Sequence, residues 1–407
     1  MAAIECPFHD LTDPMRIEAG IPYDDFARLR ATGKLNWMEQ SGSGFTDGGL
    51  WIASRHEHIL EISKRSDVFS SWQDGAIIRF SDDVTREQID MNRLIMLNQD
   101  APEHTRLRKL IAKGFTPRAV SALRDALTAR AEKIVGAAAA KGSGDFVADV
   151  AVELPLQAIA ELIGVPQEDR SKVFDWSNQM LAPEDPDLGV DMDPMDLSAQ
   201  VMAYAYSLAE LRKADPRDDI VTKLVHADID GEKLAPEEFA FFFILLAVAG
   251  NETTRNAISH GMNAFFDFPD QWERYKAERP STLADELVRW ATPVICFQRT
   301  ALEDYELGGV TVEKGQRVGM FYSSANYDES VFDDPFTLNV FRDPNPHLGF
   351  GGHGAHYCVG ANLARMEIDI MFNTIADLMP GIARASDARR LRQGWINGIK
   401  ELQVTYG

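Results

Sequence analysis

The chain has 407 residues, is 45% hydrophobic, and carries a formal net charge of −22 with a pI near 4.8. That composition supports a sizeable core and excludes a disordered chain. The negative field argues against nucleic acid and anionic membrane surfaces as partners.

The first residues, MAAIECPFHDLTDP, are acidic and broken by prolines, so they do not read as a secretory signal. With nothing marking export, a cytoplasmic location is expected. Three scattered cysteines, Cys6, Cys296 and Cys358, lack any CxxC spacing and argue against a disulfide framework or a cysteine-built zinc site. Leu35 to Ser54 reads as a hairpin through SGSG and DGG. In RHEH, His56 and His58 are two apart and would face different sides of a helix, the pattern of a surface pair rather than of metal ligands.

Most of the remaining chain reads as helix. Ala122 to Gly142 has helical apolar spacing and a glycine stop, Leu154 to Val165 ends at Pro166, and Met195 to Ala214 is a third. The longest candidate starts at Pro236-Glu237-Glu238, which suit a helix N-terminus, and continues to Phe268. Its apolar run FAFFFILLAVAG is too short to span a bilayer, so no membrane span is expected. In its middle, AGNETT places Glu252 and Thr253 inside an apolar helix, where polar groups are costly unless paired or functional. Two readings stand there: a capped kink, or an oxygen pocket with an acid–alcohol pair. ELVR puts Glu286 and Arg289 on one helix face, able to pair, and Arg342 could join them. Tyr305 to Phe321 reads as short strands turning at Gly308-Gly309 and at Gly315. One mainly α domain over 1–407 with a small β region is expected.

Near the C-terminus, GFGGHGAHYCVGANLAR sets Cys358 in a glycine-rich loop just ahead of a helical run. Free N–H groups and the helix dipole there stabilise a thiolate. The residues alone leave three readings: a small buried hydrophobe, a reactive thiol and a metal thiolate.

The order AGNETT, ExxR, cysteine loop, with HTRLR upstream, resembles the cytochrome P-450 superfamily of haem-thiolate monooxygenases along essentially the whole chain. One spacing departs from the usual pattern: the phenylalanine seven residues before the cysteine is replaced by Gly351, with Phe350 one position earlier. The resemblance implies the P-450 fold, haem b (iron protoporphyrin IX) as cofactor, and Cys358 as the iron ligand. It implies that His104, Arg108, Arg299 and His356 hold the haem propionates. Glu252 and Thr253 would govern proton delivery to dioxygen, and Glu286, Arg289 and Arg342 would form a structural network. A haem electron carrier or haem sensor is the non-enzymatic alternative; a carrier has no use for an acid–alcohol pair, and a sensor usually brings an output module.

LAVAGNETTRN, VRWATPV, FQRTALEDYEL, the cysteine loop and GWINGIK are similar to bacterial steroid side-chain monooxygenases, which oxidise the terminal methyl of cholesterol or cholest-4-en-3-one to alcohol and on to acid. That likeness implies a sterol pocket of Ile77, Phe80, Met180, Val248, Ala249, Val294, Phe297 and Trp395, with core packing as the plain alternative for each. It further implies electrons from a ferredoxin and its NAD(P)H-dependent reductase. The dock is expected at Arg106, Lys109, Lys113 and Arg365. A terpenoid or branched fatty acid oxidised at a terminal methyl is the alternative substrate.

Overall fold

The computed structural model describes residues 10–80, 84–112, 114–181, 185–188, 194–217, 219–226 and 234–407. Its axis is one uninterrupted helix, Pro236–Asp267, of 32 residues, about 48 Å at 1.5 Å per residue. Pro236 opens it, and the Glu238 carboxylate accepts from the Ala235 N–H at 2.8 Å, satisfying one free end group. At the far end Phe268 leaves helical geometry and Pro269 begins the next helix. The helix runs through Gly250 without interruption. A Cβ there would meet Ile159 Cδ1 at 2.8 Å, so glycine lets helix Glu153–Ile163 pack directly on it.

The other helices stop where local chemistry requires. Arg124–Lys141 ends at Gly142 with φ +76°, and Glu153–Ile163 at the left-handed Gly164. Pro194–Ala214 and Ala361–Leu378 complete the expected set. Their apolar faces meet in one large core that runs from Leu107 and Phe115 through the central helix to Ile370 and Phe372.

The hairpin of Asn36–Glu39 with Gly49–Ala53 belongs to a five-stranded sheet. Arg317–Phe321 joins it in parallel, then Cys296–Ala301 and Phe69–Ser70 follow antiparallel. Strand Cys296–Ala301 carries no clear apolar alternation in sequence. Its neighbours come from distant parts of the chain, so it is set by long-range pairing. Tyr305–Leu307 and Val310–Val312 form a separate hairpin through Gly308 and Gly309, both at positive φ.

His56 and His58 are not a surface pair. Both are buried in helix His56–Lys64, His56 donating from Nε2 to the Pro346 carbonyl at 2.8 Å. Burial holds both imidazole pKa values below the ordinary range.

Candidate active site

Cys358 lies two residues ahead of Gly360, the cap of helix Ala361–Leu378. The loop before it is held by Cys358 N–H donating to Phe350 O at 2.9 Å and Tyr357 N–H to Gly354 O at 3.1 Å. Its glycines serve its neighbours as much as the sulfur. A Cβ on Gly354 would fall 1.7 Å from Ser63 O, one on Gly352 2.3 Å from Ser63 Oγ, and one on Gly349 2.6 Å from Val288 Cγ1. Gly351 has φ +98°, a backbone conformation suited to glycine. Helix His56–Lys64 and the ELVR helix, Leu283–Ala291, therefore clamp the loop from two sides.

The sulfur is accessible from an internal cavity while protein surrounds it elsewhere. Burial pushes the Cys358 thiol pKa up; the Gly360 and Ala361 N–H groups and the cations of Arg108 and Arg365 pull it down without overcoming that. The helix N-terminus favours a thiolate but does not make one unaided. Phe350 lines the cavity beside the cysteine despite its shifted position, with the Arg365 guanidinium 4.6 Å from its ring centroid.

The cavity encloses about 1620 Å³ of space free of protein atoms, its mouth included. The central helix supplies Val248, Ala249, Glu252 and Thr253 to its wall. Strand Cys296–Ala301 supplies Phe297 and Arg299, two residues apart and so on one strand face. Val294 and Trp395 complete the apolar side, with the Phe297 and Trp395 rings 6.0 Å apart.

Three features of this cavity fit a haem. First, Cys358 presents a sulfur toward it, a soft ligand suited to iron. Second, four basic side chains converge: the His104 and His356 rings stand 4.1 Å apart, and Arg108 and Arg299 repel protons from both. His104 is held down to about 4, chiefly by burial and then by these cations. Third, no carboxylate of the described residues is in direct contact with this cluster: Asp100 is near enough to act on His104 and Arg299, but its own bonds go to Ser70 and Ser71. Among the described residues no carboxylate forms an ion pair with Arg108 or Arg299, and the buried His104 Nε2 has no partner. Carboxylates entering here would satisfy it. His104 and Arg108 stand behind the lining, Arg108 donating to the Tyr357 carbonyl; Arg299 and His356 are on the wall itself.

A match to the family model named cytochrome P450 covers residues 281–376, from the ELVR helix to the cysteine helix. The steroid C26-monooxygenase of Rhodococcus jostii (strain RHA1) is 62% identical, the alignment covering 98% of this chain and 84% of that relative.

The chain belongs to the cytochrome P450 family.

It is a haem-dependent monooxygenase. The steroid C26-monooxygenase of Mycobacterium tuberculosis (strain H37Rv) is 58% identical over 98% of this P450 and 93% of its own length. A methyl-branched lipid omega-hydroxylase of the same organism is 41% identical, covering 94% and 90%. Among solved structures, a Mycobacterium marinum cytochrome P450 in complex with pseudoionone superposes with a TM-score of 0.87 at 36% identity, covering 96% of this chain and 95% of that one.

In this P450 the acid–alcohol pair sits in an unbroken helix. Thr253 is half-buried, and its Oγ1 donates to the Ala249 carbonyl at 2.7 Å. Glu252 is 2% exposed; Oε2 accepts from Arg255, while Oε1 has no partner. Burial raises its pKa, and Arg255 only partly offsets this. Glu286 and Arg289, both fully buried, share two hydrogen bonds at 2.8 Å each, and Arg342 Nε adds a third donor at 3.0 Å.

Three pocket assignments fall outside the lining. Ile77 is half-buried on a loop beside Ile78, which packs in the sheet-side core. Phe80 packs toward Phe45, with ring centroids 5.9 Å apart. Met180 packs against the main core. Leu97, Phe115, Ile159 and Tyr322 line the cavity instead. Their positions follow from loop paths and tertiary packing, which no short motif signals. The basic patch is also not a set of free charges. Arg106 pairs with Glu238, and Arg365 Nε donates to Asp285 at 2.8 Å. Lys109 is exposed, and Lys113 lies outside the described residues.

Glu367, on the cysteine helix, also lines the cavity; it is 2% exposed, and its Oε2 has no partner. Nothing in the sequence singles it out, because it sits in a regular amphipathic run. Burial alone holds its carboxyl well above the usual range, so the native state keeps a proton that the unfolded chain releases at about pH 4.3. The native state binds more protons above that point, and stability falls as pH rises until the native carboxyl titrates. Glu367→Gln is expected to flatten this slope. Each tenfold difference in proton affinity between folded and unfolded chain is worth about 1.4 kcal/mol of the stability it regains. Urea unfolding from about pH 5 to about pH 8 measures it; parallel curves for the two proteins would refute the assignment.

Proposed function

We propose that this monooxygenase hydroxylates the terminal methyl of a sterol side chain, that of cholesterol or cholest-4-en-3-one, and carries the product on toward the acid. Haem b serves as cofactor, held by Cys358 with His104, Arg108, Arg299 and His356 at its propionates. Electrons come from a ferredoxin and an NAD(P)H-dependent reductase, and the chain works in the cytoplasm as one domain over 1–407. Among the described residues no helix is long and apolar enough to cross a membrane. The observation that carries the substrate is the step in identity: 58–62% to steroid C26-monooxygenases over nearly the whole chain, against 41% to methyl-branched lipid omega-hydroxylases.

When bound, the haem activates dioxygen for insertion of one oxygen atom into a C–H bond. The chain's own groups decide where. Val248, Ala249, Val294, Phe297 and Trp395 give an apolar wall that takes hydrocarbon and excludes water. A tertiary C–H is weaker than a primary one, so selective attack on a terminal methyl requires the wall to hold the chain end-on. Burial raises the affinity of the Glu252 carboxyl for a proton against the opposing Arg255, so it serves as the proton donor, and the Thr253 hydroxyl turns from Ala249 O toward the cavity to pass the proton on.

Thr253→Val keeps the shape and removes that hydroxyl. Product formed per electron pair is expected to fall about 10²-fold, with the missing electrons recovered as peroxide. Unchanged coupling would remove Thr253 from proton delivery. The substrate is tested by turnover of cholest-4-en-3-one under isotopically labelled dioxygen. One labelled oxygen at the end of the side chain is expected. Ring oxidation, or no sterol product where a methyl-branched fatty acid is hydroxylated, would overturn the sterol assignment.

A further inference from the structure

Most of the cavity wall belongs to helices and a paired strand, but Trp395 and Ile396 come from a short turn near the C-terminus. Such a turn holds position only if its backbone is tied elsewhere. Its ties converge on Asn397, which is 3% exposed. The Asn397 N–H donates to Pro293 O at 2.9 Å, and Nδ2 donates to Ala291 O, the last residue of the ELVR helix. Oδ1 accepts from Arg390 Nη2 at 2.7 Å. Its own carbonyl accepts from His260 Nε2 at 3.1 Å, on the central helix. Main chain and side chain of Asn397 are thus both engaged, and the partners come from different elements.

Flanking bonds follow the same plan. Ile295 N–H donates to Trp395 O at 2.8 Å, and Val294 and Ile396 form an antiparallel bridge. One turn before His260 on the central helix, Asn256 Oδ1 accepts from Ile399 N–H at 3.2 Å. His260 must carry its hydrogen on Nε2, because a carbonyl can only accept. Burial and the nearby Arg390 keep the ring neutral, which suits that tautomer. The central helix that bears Glu252 and Thr253 thus also fixes the height of Trp395 and Ile396 above them.

We propose that Asn397 is a positioning residue for specificity: it suspends the Trp395–Ile396 turn between the central helix and the segment Ala291–Ile295, and so fixes the width of the slot that presents the end of a hydrocarbon chain. The inference rests on the terminal-methyl reading above, for whichever lipid is the substrate. Aspartate at this position keeps the acceptor for Arg390 but loses the donor to Ala291 O. Alanine loses both.

Asn397→Ala and Asn397→Asp are compared with wild type, alongside His260→Leu, which removes one tie, and His260→Gln, which keeps a donor. Amide hydrogen exchange over residues 395–399, read on the haem-loaded protein, is expected to quicken at least tenfold in Asn397→Ala and less in His260→Leu. With cholest-4-en-3-one, the share of product oxidised away from the terminal methyl is expected to rise several-fold in the same order, His260→Gln staying near wild type and the thiolate haem spectrum unchanged. Faster exchange with an unchanged product pattern would make Asn397 merely structural and overturn the proposal, as would unchanged exchange. If Asn397→Ala fails to fold, the His260 pair decides the matter by the same two readings. If wild type leaves the sterol untouched, the sterol reading fails alone; the product pattern is then read on a methyl-branched fatty acid.

Discussion

Replacing Cys358 with serine is expected to abolish monooxygenase turnover and the thiolate signature of the haem spectrum, while the fold persists. The sulfur faces the cavity, so the smaller hydroxyl creates no buried void and strands no partner. The loop is held by backbone bonds such as Cys358 N–H to Phe350 O, which serine retains. What disappears is a soft, electron-donating ligand that favours O–O cleavage. No other described cysteine can substitute: Cys296 is fully buried on the sheet, its pKa pushed well up by that burial, and it lies outside the lining. Far-ultraviolet dichroism and thermal midpoint should match wild type, and the reduced carbon monoxide complex should lose the red-shifted Soret band that thiolate ligation produces. Retained turnover in this variant would remove Cys358 from the chemistry.

Arg289→Ala is expected to act differently, changing no cavity residue itself while removing the support beneath them. Arg289 makes two bonds to Glu286 and two more from Nη1, to Asn326 O at 3.0 Å and Pro335 O at 2.9 Å. Its loss strands two carbonyls and leaves Glu286 with Arg342, Asn345 and the Asn339 N–H. Breaking a buried pair from one side costs about 3–5 kcal/mol. Because Val288, beside Arg289, meets Gly349, that loss loosens the cysteine loop directly. The expected result is a lower thermal midpoint and little bound haem. Arg289→Lys should rescue poorly, since an ammonium cannot spread planar donors over three partners. A variant that stays within about 1 kcal/mol of wild type and keeps its haem would contradict this role.

Where apolar period and a glycine or proline stop coincide, as at Gly142 and Pro269, the helices are legible in the sequence; the helix expected to run to Val165 and stop at Pro166 ends sooner, at the left-handed Gly164. The chemistry-bearing motifs are legible too, because AGNETT, ExxR and the cysteine loop place polar residues where an apolar core would otherwise run. Features that local pattern does not carry are not. Strand Cys296–Ala301 mixes apolar and polar residues on both faces and exists by pairing with Arg317–Phe321 and Phe69–Ser70. His56 and His58 have the spacing of solvated polar residues but are buried, one of them bonded to a carbonyl nearly three hundred positions away. Ile77, Phe80 and Met180 belong to a pocket only by likeness; the loop bearing Ile77 and Phe80 and the helix Arg170–Leu181 bearing Met180 follow tertiary contacts instead. Asn397 has no motif at all. Its importance lies in bonds to Ala291, Pro293 and His260, visible only when the chain has folded.

The terminal-methyl reading requires a sterol to enter the apolar cavity beside Cys358 and displace water there. The most direct measurement is an optical titration of the purified haem protein with cholest-4-en-3-one, following the Soret band. A saturable shift to the high-spin position is the predicted result, stronger than that given by a methyl-branched fatty acid. No shift with the sterol, against a clear saturable response to the fatty acid, would contradict it and leave a P450 whose cavity serves a different lipid.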